Sequence, residues 1–485
     1  MNLSALLEST VSISSEVVLV LFGLGILIGS TFVKDEDSDY FFYFSIVAII
    51  ISFFVNFSRF GTETSAFFGA LKIDTFSAYF NSIFLITAVT TIIISKDYLK
   101  SKTDYINEFY ALILLCTSSM MILSSSIEFM TLFVAFEIMS IAVYILSGFI
   151  KNSVRSLESG MKYLVLGGFS SAVLLYGIAL IYGASGSLFF TDIINNFTLT
   201  PMYIAGISLI IAGFIFKIGA APLHQWVPDI YQGAPLPVTG YMSVAVKAAA
   251  FAILLRVLFE MSVFDSNYML YAIQIVAVLT MIVGNITAIY QTSIKRMLAY
   301  SSIAHAGYAL IGVAANIADS SIGTQSVLYY LLAYSFMNLG AFGILSYLSL
   351  KDRDCDLFDH IAGLWNNKPV TSIALGIFMF SLAGIPPTIG FFSKYRVFID
   401  AVNANLTPLA VIGIITSVIS AFYYLRVLVF AFMKPDTFAF ESKKMLTISA
   451  IVVLAVATVI LGIIPFVTWD YAVDASSSLF SYNFF

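Results

Sequence analysis

Cysteine, histidine, tryptophan and charge are all scarce in this chain of 485 residues. With only Cys116 and Cys355 present, neither a disulfide framework nor a four-cysteine cluster or zinc site can be built. Charged residues make up 11% of the sequence against 60% hydrophobic, at mean hydropathy +0.96. Those proportions exclude a soluble globule and are those of a polytopic membrane protein. Long polar stretches are also missing. The two longest, Lys351 to Lys368 and Met433 to Lys444, are each under about twenty residues and too short for a domain. No basic residue precedes Lys34, so the first apolar run lacks the positive start of a signal peptide and reads as a retained span.

What is present is a succession of apolar runs, each near the roughly 20 residues that cross a bilayer as helix. Fourteen can be counted, from 16–33 to 445–466. They are too long for tilted strands, so the expected fold is an all-α polytopic bundle of about 14 transmembrane helices. Basic residues fall on alternate loops. With the N-terminus outside, inner loops hold Lys34, Lys96, Lys100, Lys102, Lys151, Arg155, Lys295, Arg296, Lys351, Arg353, Lys368, Lys434, Lys443 and Lys444, and outer loops only Arg59 and Lys72. This asymmetry predicts both termini outside. A bacterial plasma membrane is expected, because transit-peptide features are missing.

Four charges lie deep within apolar spans: Glu137, Lys217, Lys247 and Lys394. Each costs at least about 2.5–3.5 kcal/mol to insert, which marks such groups as functional by default. Two spans are interrupted, the seventh at Gly219-Ala220-Ala221-Pro222 and the twelfth at Gly384-Ile385-Pro386-Pro387. Broken backbone at membrane depth occurs only where protein or a cavity satisfies the freed groups, and paired breaks point to an inverted repeat around an ion site. Setting Pro386 against Pro222 gives an offset of 164 residues, which carries Glu137 to Ser301 in the stretch Tyr300 to His305. Five helices per unit, the fourth to eighth and ninth to thirteenth, is the simplest repeat, and an odd number requires inversion.

The stretch from Phe216 to Arg256, with Gln291 to Arg296, Tyr300 to Tyr308 (YSSIAHAGY) and Ser381 to Lys394 (SLAGIPPTIGFFSK), resembles the antiporter-like subunits of respiratory complex I, most of all subunit N. The resemblance covers about 128 to 426. It implies two inverted five-helix repeats with broken helices 7 and 12, and a proton channel in which Glu137, Lys217, Lys247 and Lys394 occupy the family's positions. The division implied is 1–106, an N-terminal three-helix segment; 107–262, the first repeat; 263–433, the second; and 434–485, a final helix and tail. No lateral helix is expected after the fourteenth span. The resemblance also implies partners, the other membrane and peripheral subunits of complex I, especially neighbouring antiporter-like and small membrane subunits. Flavin, Fe-S clusters and quinone belong to those partners and no cofactor to this chain. No nucleic-acid partner is expected.

The chemistry follows from burial. Desolvation disfavours the ammonium form of lysine, and a carboxylate nearby restores it. At about 4 Å and an effective dielectric of 20 that attraction is roughly 4 kcal/mol, so moving Glu137 toward or away from Lys217 would load and unload the amine. Moving one charge against 100 mV costs about 2.3 kcal/mol. His305, Ser301, Ser302 and Tyr308 are candidate relay groups. His224, just after the first break, reads equally as a relay or a cap for freed carbonyls. Lys162, Arg256 and Arg426 are expected to be interfacial anchors, and Glu137 the sole acid deep in a span. His360 with Asp352, Asp354, Asp356 and Asp359 reads as a solvated loop, and glycines 23, 25 and 29 as helix-packing positions. A Mrp-type cation/proton antiporter and a hydrogenase-type membrane subunit would use the same residues and stay open as alternatives.

Overall fold

In the computed structural model the described residues are 3–32, 38–195, 200–261, 267–319, 322–351, 353–436 and 445–480. Lys34, Asp352, Lys443 and Lys444 lie outside them. The chain folds as α1 (Leu3–Ser12), α2 (Ser14–Ser30), α3 (Ser38–Phe57), a small antiparallel hairpin of β1 (Thr64–Ala66) and β2 (Leu71–Ile73), α4 (Thr75–Lys100), α5 (Ile106–Ser125), α6 (Phe129–Ser147), α7 (Val154–Ser185) and α8 (Phe190–Asn195). There follow α9 (Pro201–Ile218), α10 (Trp226–Gly233), α11 (Leu236–Tyr241), a π-turn (Met242–Val246), α12 (Lys247–Glu260), α13 (Asn267–Ile289), α14 (Ile294–Ala318) and α15 (Thr324–Leu348). The last elements are α16 (Leu364–Asn367), α17 (Pro369–Ala383), α18 (Ile389–Asn403), α19 (Thr407–Met433), α20 (Met445–Ile463) and α21 (Phe466–Phe480).

Twelve helices among the described residues are long and apolar enough to cross a bilayer, thirteen if the bent pair α1 and α2 counts as one span. The expected fourteen is not reached by length and composition, because α17 has only 15 residues and continues across a break as α18. A fifteen-residue helix, α21, also follows the last long helix. Burial is graded. The helix Leu236–Glu260 is fully buried and α14 and α15 nearly so, whereas α20 buries 28% of its apolar window. Peripheral helices turn Val453, Val456 and Ile460 on α20 and Ile414, Ile415 and Val418 on α19 outward, as acyl chains require.

Both predicted breaks are present. Gly219 and Gly384 end α9 and α17 with φ of +77° and +87°, a left-handed cap that glycine adopts without strain. Freed polar groups find protein partners at both breaks. Trp226 Nε1 donates to the Phe216 carbonyl at 3.0 Å, and the Ala221 amide donates to Thr280 Oγ1 at 2.9 Å. At the second break Lys394 Nζ donates to the carbonyls of Leu382 and Ala383 at 2.9 and 3.0 Å, and the Gly390 amide to Ser381 Oγ at 3.1 Å.

The repeat offset is 165 residues, one more than the prolines suggested. It separates Gly219 from Gly384, and likewise Glu128, whose carboxylate caps α6, from Ser293, whose hydroxyl caps α14. The segment before α6 bridges Phe189 beyond α7, and the segment before α14 bridges Leu357 beyond α15. Glu137 therefore corresponds to Ser302, not Ser301.

Arg256 is not an interfacial anchor. It is fully buried, with NH1 and NH2 donating to Asp74 at 3.0 and 2.8 Å, Nε to the Ser124 carbonyl at 2.8 Å, and its plane 4.8 Å from the Phe76 ring centroid. Nor is Glu137 the sole acid in the bundle: it is half-buried, whereas Asp74 is enclosed with Arg256, Glu16 pairs with Arg59 at 2.9 Å, and Asp400 is buried on α18. Arg426 caps α13 through the Ile289 and Gln291 carbonyls. Removing one member of an enclosed ion pair strands the other charge at about 3–5 kcal/mol. Asp74→Asn should accordingly lower the thermal stability of the detergent-solubilised chain, and adding Arg256→Met should restore most of the loss. A double variant no more stable than Asp74→Asn alone would refute this account.

Candidate functional site

The sequence-predicted charges converge on one row through the bundle. At one end, Glu137 projects from α6 and is half-buried, accepting a hydrogen bond from Ser171 on α7. One turn further along α6, Ser140 Oγ accepts from Lys217 Nζ at 2.9 Å. Glu137 and Lys217 thus face the same space without forming an ion pair, each held by its own serine. Lys217 is 3% exposed, and its Nζ lies 5.3, 5.1 and 5.0 Å from the ring centroids of Phe136, Tyr144 and Tyr163. These π faces, and its place in the last turn of α9 where carbonyls point outward, favour a cation. Among the described residues the Tyr144 and Tyr163 hydroxyls have no hydrogen-bond partner, leaving polar positions for internal water.

Lys247 begins α12 directly after the π-turn, an irregularity frequent at functional sites. Its Nζ donates to Ser302 O and Oγ at 2.5 Å each, reaching across from one repeat into the other. Tyr231, which the sequence reading did not single out, places its hydroxyl beside Ser302, and electrostatically it neighbours Tyr163. It therefore joins the Lys217 end of the row to the Lys247 end. Only its partners betray its role, and they lie on other helices.

His305 sits on α14 one turn beyond Ser302, 2% exposed. Its Nδ1 meets the Tyr330 hydroxyl at 2.6 Å and its Nε2 the Tyr424 hydroxyl at 2.9 Å, and Tyr424 also contacts Ser301 Oγ at 2.5 Å. A hydroxyl on each ring nitrogen can donate or accept, so either tautomer is satisfied. The rings of Tyr334 and Tyr308 flank the imidazole at 5.0 and 5.7 Å. Behind Tyr334 lies Lys247, 5.6 Å from its centroid, and behind Tyr308 lies Lys394 at 5.0 Å. Lys394 is held by Ser417 Oγ at 2.9 Å besides the two α17 carbonyls. Among the described residues no carboxylate lies within 4 Å of any of the three lysines.

The structure leaves His224 outside this row. It is half-buried at the first break, its ring beside the Pro222 carbonyl and Nδ1 without a partner, the arrangement of the capping alternative. Among the described residues no three His, Cys, Asp or Glu side chains are grouped to hold a metal.

On the face carrying the basic loops a polar cavity of about 730 Å³ opens, lined among others by Lys102, Lys295, Asp354, Asp356 and His360. Lys295, placed in a loop by the sequence reading, is buried on α14, seven residues before Ser302, and donates to the Ala234 carbonyl at 2.8 Å. Asp354 gathers Tyr98 at 2.9 Å, Lys102 at 2.8 Å and Lys295 at 3.4 Å, tying α4 and α14 to the turn between α10 and α11.

A family model described as "NADH:quinone oxidoreductase/Mrp antiporter, TM" matches residues 126–420. NADH-quinone oxidoreductase subunit N of Trichlorobacter lovleyi is 41% identical over 473 residues, covering 96% of each chain. A chain of respiratory complex I from Thermus thermophilus with bound aureothin superposes at TM-score 0.81 with 30% identity, over 94% of this chain and 98% of that one. A chain of the Mrp complex from Dietzia sp. reaches TM-score 0.83 at 20% identity over 98% of both; the fold is thus common to both kinds of assembly.

Burial alone would raise the Asp354 carboxyl, but Lys295 and Lys102 beside it, with hydrogen bonds from Lys102 and Tyr98, hold it below the usual aspartate range. A depressed carboxyl stabilises the fold above its unfolded value and loses that contribution as pH falls through the folded one. Asp354→Asn should lower thermal stability of the detergent-solubilised complex at neutral pH, by about 1 kcal/mol for a partly exposed tie. The difference from the parent chain should hold down to about pH 4 and shrink as pH falls further, through the lower folded value. A difference independent of pH would overturn the assignment.

Proposed function

Because the chain belongs to the NADH-quinone oxidoreductase subunit N family, as an antiporter-like membrane-arm subunit of complex I, we propose that its row from Glu137 to Lys394 translocates protons. The row is driven by quinone reduction in partner subunits, which hold the flavin, iron–sulfur clusters and quinone. The observation that carries this reading is three enclosed lysines without counter-ions, linked by hydroxyls and one imidazole. A permanent ion pair would hold an ammonium charged, whereas an amine solvated only by dipoles exchanges its proton at small cost.

The sequence of events follows the geometry. The basic face is the cytoplasmic one, so both termini lie outside, and the cavity at Lys295 and Asp354 is the uptake mouth. Glu137 is the switch. Moving its carboxylate from Ser171 toward Lys217 stabilises the ammonium by roughly 4 kcal/mol at 4 Å and an effective dielectric of 20, and withdrawing it releases the proton toward Tyr163, Tyr231 and Lys247. His305 then accepts on one nitrogen and donates from the other, delivering to Lys394. The redox half of the reaction belongs to the partners, and this chain supplies the translocation half. The 41% identity to a subunit N favours this over a Mrp-type antiporter or a hydrogenase-type subunit.

Lys217→Ala and Lys247→Met should leave the complex assembled and able to oxidise NADH at a reduced rate. Proton uptake by inverted membrane vesicles should fall by about tenfold or more, in line with loss of an acid–base group. Unchanged proton uptake in either variant would remove that lysine from the path. Tyr424→Phe leaves His305 Nε2 unpaired, worth about 1–3 kcal/mol for a buried group. It should slow uptake less than His305→Ala does; the reverse order would contradict the relay through the imidazole.

A further inference from the structure

Five buried polar atoms without hydrogen-bond partners among the described residues gather on the face opposite the basic loops: Tyr79 Oη, Thr324 Oγ1, Tyr329 Oη, Arg396 Nε and Asp400 Oδ2. Their proximity is electrostatic as well as topological, since Tyr79 senses Tyr329, Tyr329 senses Arg396, and Arg396 acts on Asp400 one turn along α18. The Gly323 backbone and the Ser326 hydroxyl lie beside the Asp400 carboxyl. Helix α21 crosses over the group. Its Trp469 ring lies 3.7 Å from the Arg396 guanidinium carbon and 5.7 Å from the Tyr329 ring, and Ser478 Oγ accepts from the Phe76 amide at 3.0 Å.

An unpaired buried polar atom costs about 1–3 kcal/mol, and five of them together would be a large penalty if dry. Two to four polar partners are what an internal water needs, and these five atoms supply them. Asp400 is 5% exposed and lies on the helix that carries Lys394. Six residues place it about 9 Å of helix rise from Lys394, toward the end away from the basic face. The carboxyl faces the start of α15, and its Oδ2 is enclosed without a partner among the described residues.

We infer that Asp400 is the proton-release group of the second repeat, reached from Lys394 through a hydrated pocket roofed by α21. The Lys394 ammonium gives a proton through water to Asp400 Oδ2, leaving a neutral amine and a carboxylic acid. The acid then passes the proton to solvent on the α21 face and returns to carboxylate. Arg396, held by Trp469, keeps that carboxylate ready to release. The inference rests on Lys394 as a carrier, and the experiment separates the two.

In the full complex in inverted vesicles, Asp400→Asn retains a side-chain oxygen beside Gly323 and Ser326 but removes the titrating group. It should assemble yet lose proton uptake to the level of Lys394→Met, and Asp400→Glu should restore it. A purely structural anchor predicts the opposite, with Asn tolerated and the longer Glu disruptive. Asp400→Cys should react with a membrane-impermeant cationic thiol reagent from the α21 face and not from the basic face, against a background of two buried native cysteines. Failure to react from the α21 face would overturn the hydrated pocket whatever the assembly of the Asn variant. Normal uptake in Asp400→Asn with loss in Lys394→Met would overturn Asp400 and leave the lysine row standing. Normal uptake in both would overturn the row itself.

Discussion

An amine enclosed in a bilayer without a carboxylate partner must be solvated by dipoles. Lys394 takes two carbonyls left by the second break, whereas Lys217 takes the Ser140 hydroxyl of α6 and Lys247 the hydroxyl and carbonyl of Ser302 on α14. Each amine also stands beside irregular backbone, Lys217 in the final turn before the first break, Lys247 directly after the π-turn and Lys394 against the second break. Straightening the second break would withdraw the carbonyls that make the Lys394 ammonium tolerable.

Arg256 marks the contrast. It sits at similar enclosure but receives two oxygens from Asp74 and a carbonyl from Ser124, a planar fork filled by a planar acceptor. A guanidinium so matched does not exchange its proton, and the group fixes α4 against α5 and α12. Lysines with hydroxyls, rings and carbonyls around them are matched less completely, which suits a charge that comes and goes.

Much of this was legible in the sequence because charge and proline are rare in apolar spans. Glu137, Lys217, Lys247, Lys394 and both breaks stand out against their surroundings. Tyr231, Tyr330 and Tyr424 do not, since 27 tyrosines are spread along the chain and only contacts from other helices single out these three. Asp74 and Arg256 were hidden for a related reason: each lies near the end of its own span, and enclosure comes from elements distant in sequence. The offset was misjudged by one residue because Pro386 and Pro387 are adjacent, and the glycine caps, not the prolines, mark equivalent backbone. That single residue moves the counterpart of Glu137 from Ser301 to Ser302, the ligand of Lys247.

With the offset corrected, the two repeats differ in a way that explains the direction of the row. Position 137 is a carboxylate in the first repeat and Ser302 in the second; Ser140, which holds Lys217, is answered by His305; Asp229, paired with Arg296 at 2.6 Å, is answered by Lys394. The first repeat has an acid that can approach and leave an amine, so it can change a charge state. The second has no acid at that place, only hydroxyls and an imidazole leading to a lysine. Lys247 is contributed by the first repeat and solvated by the second. The junction between the two repeats is thus a single side chain, and the electrostatics on either side of it are unlike enough to give the proposed path a sense.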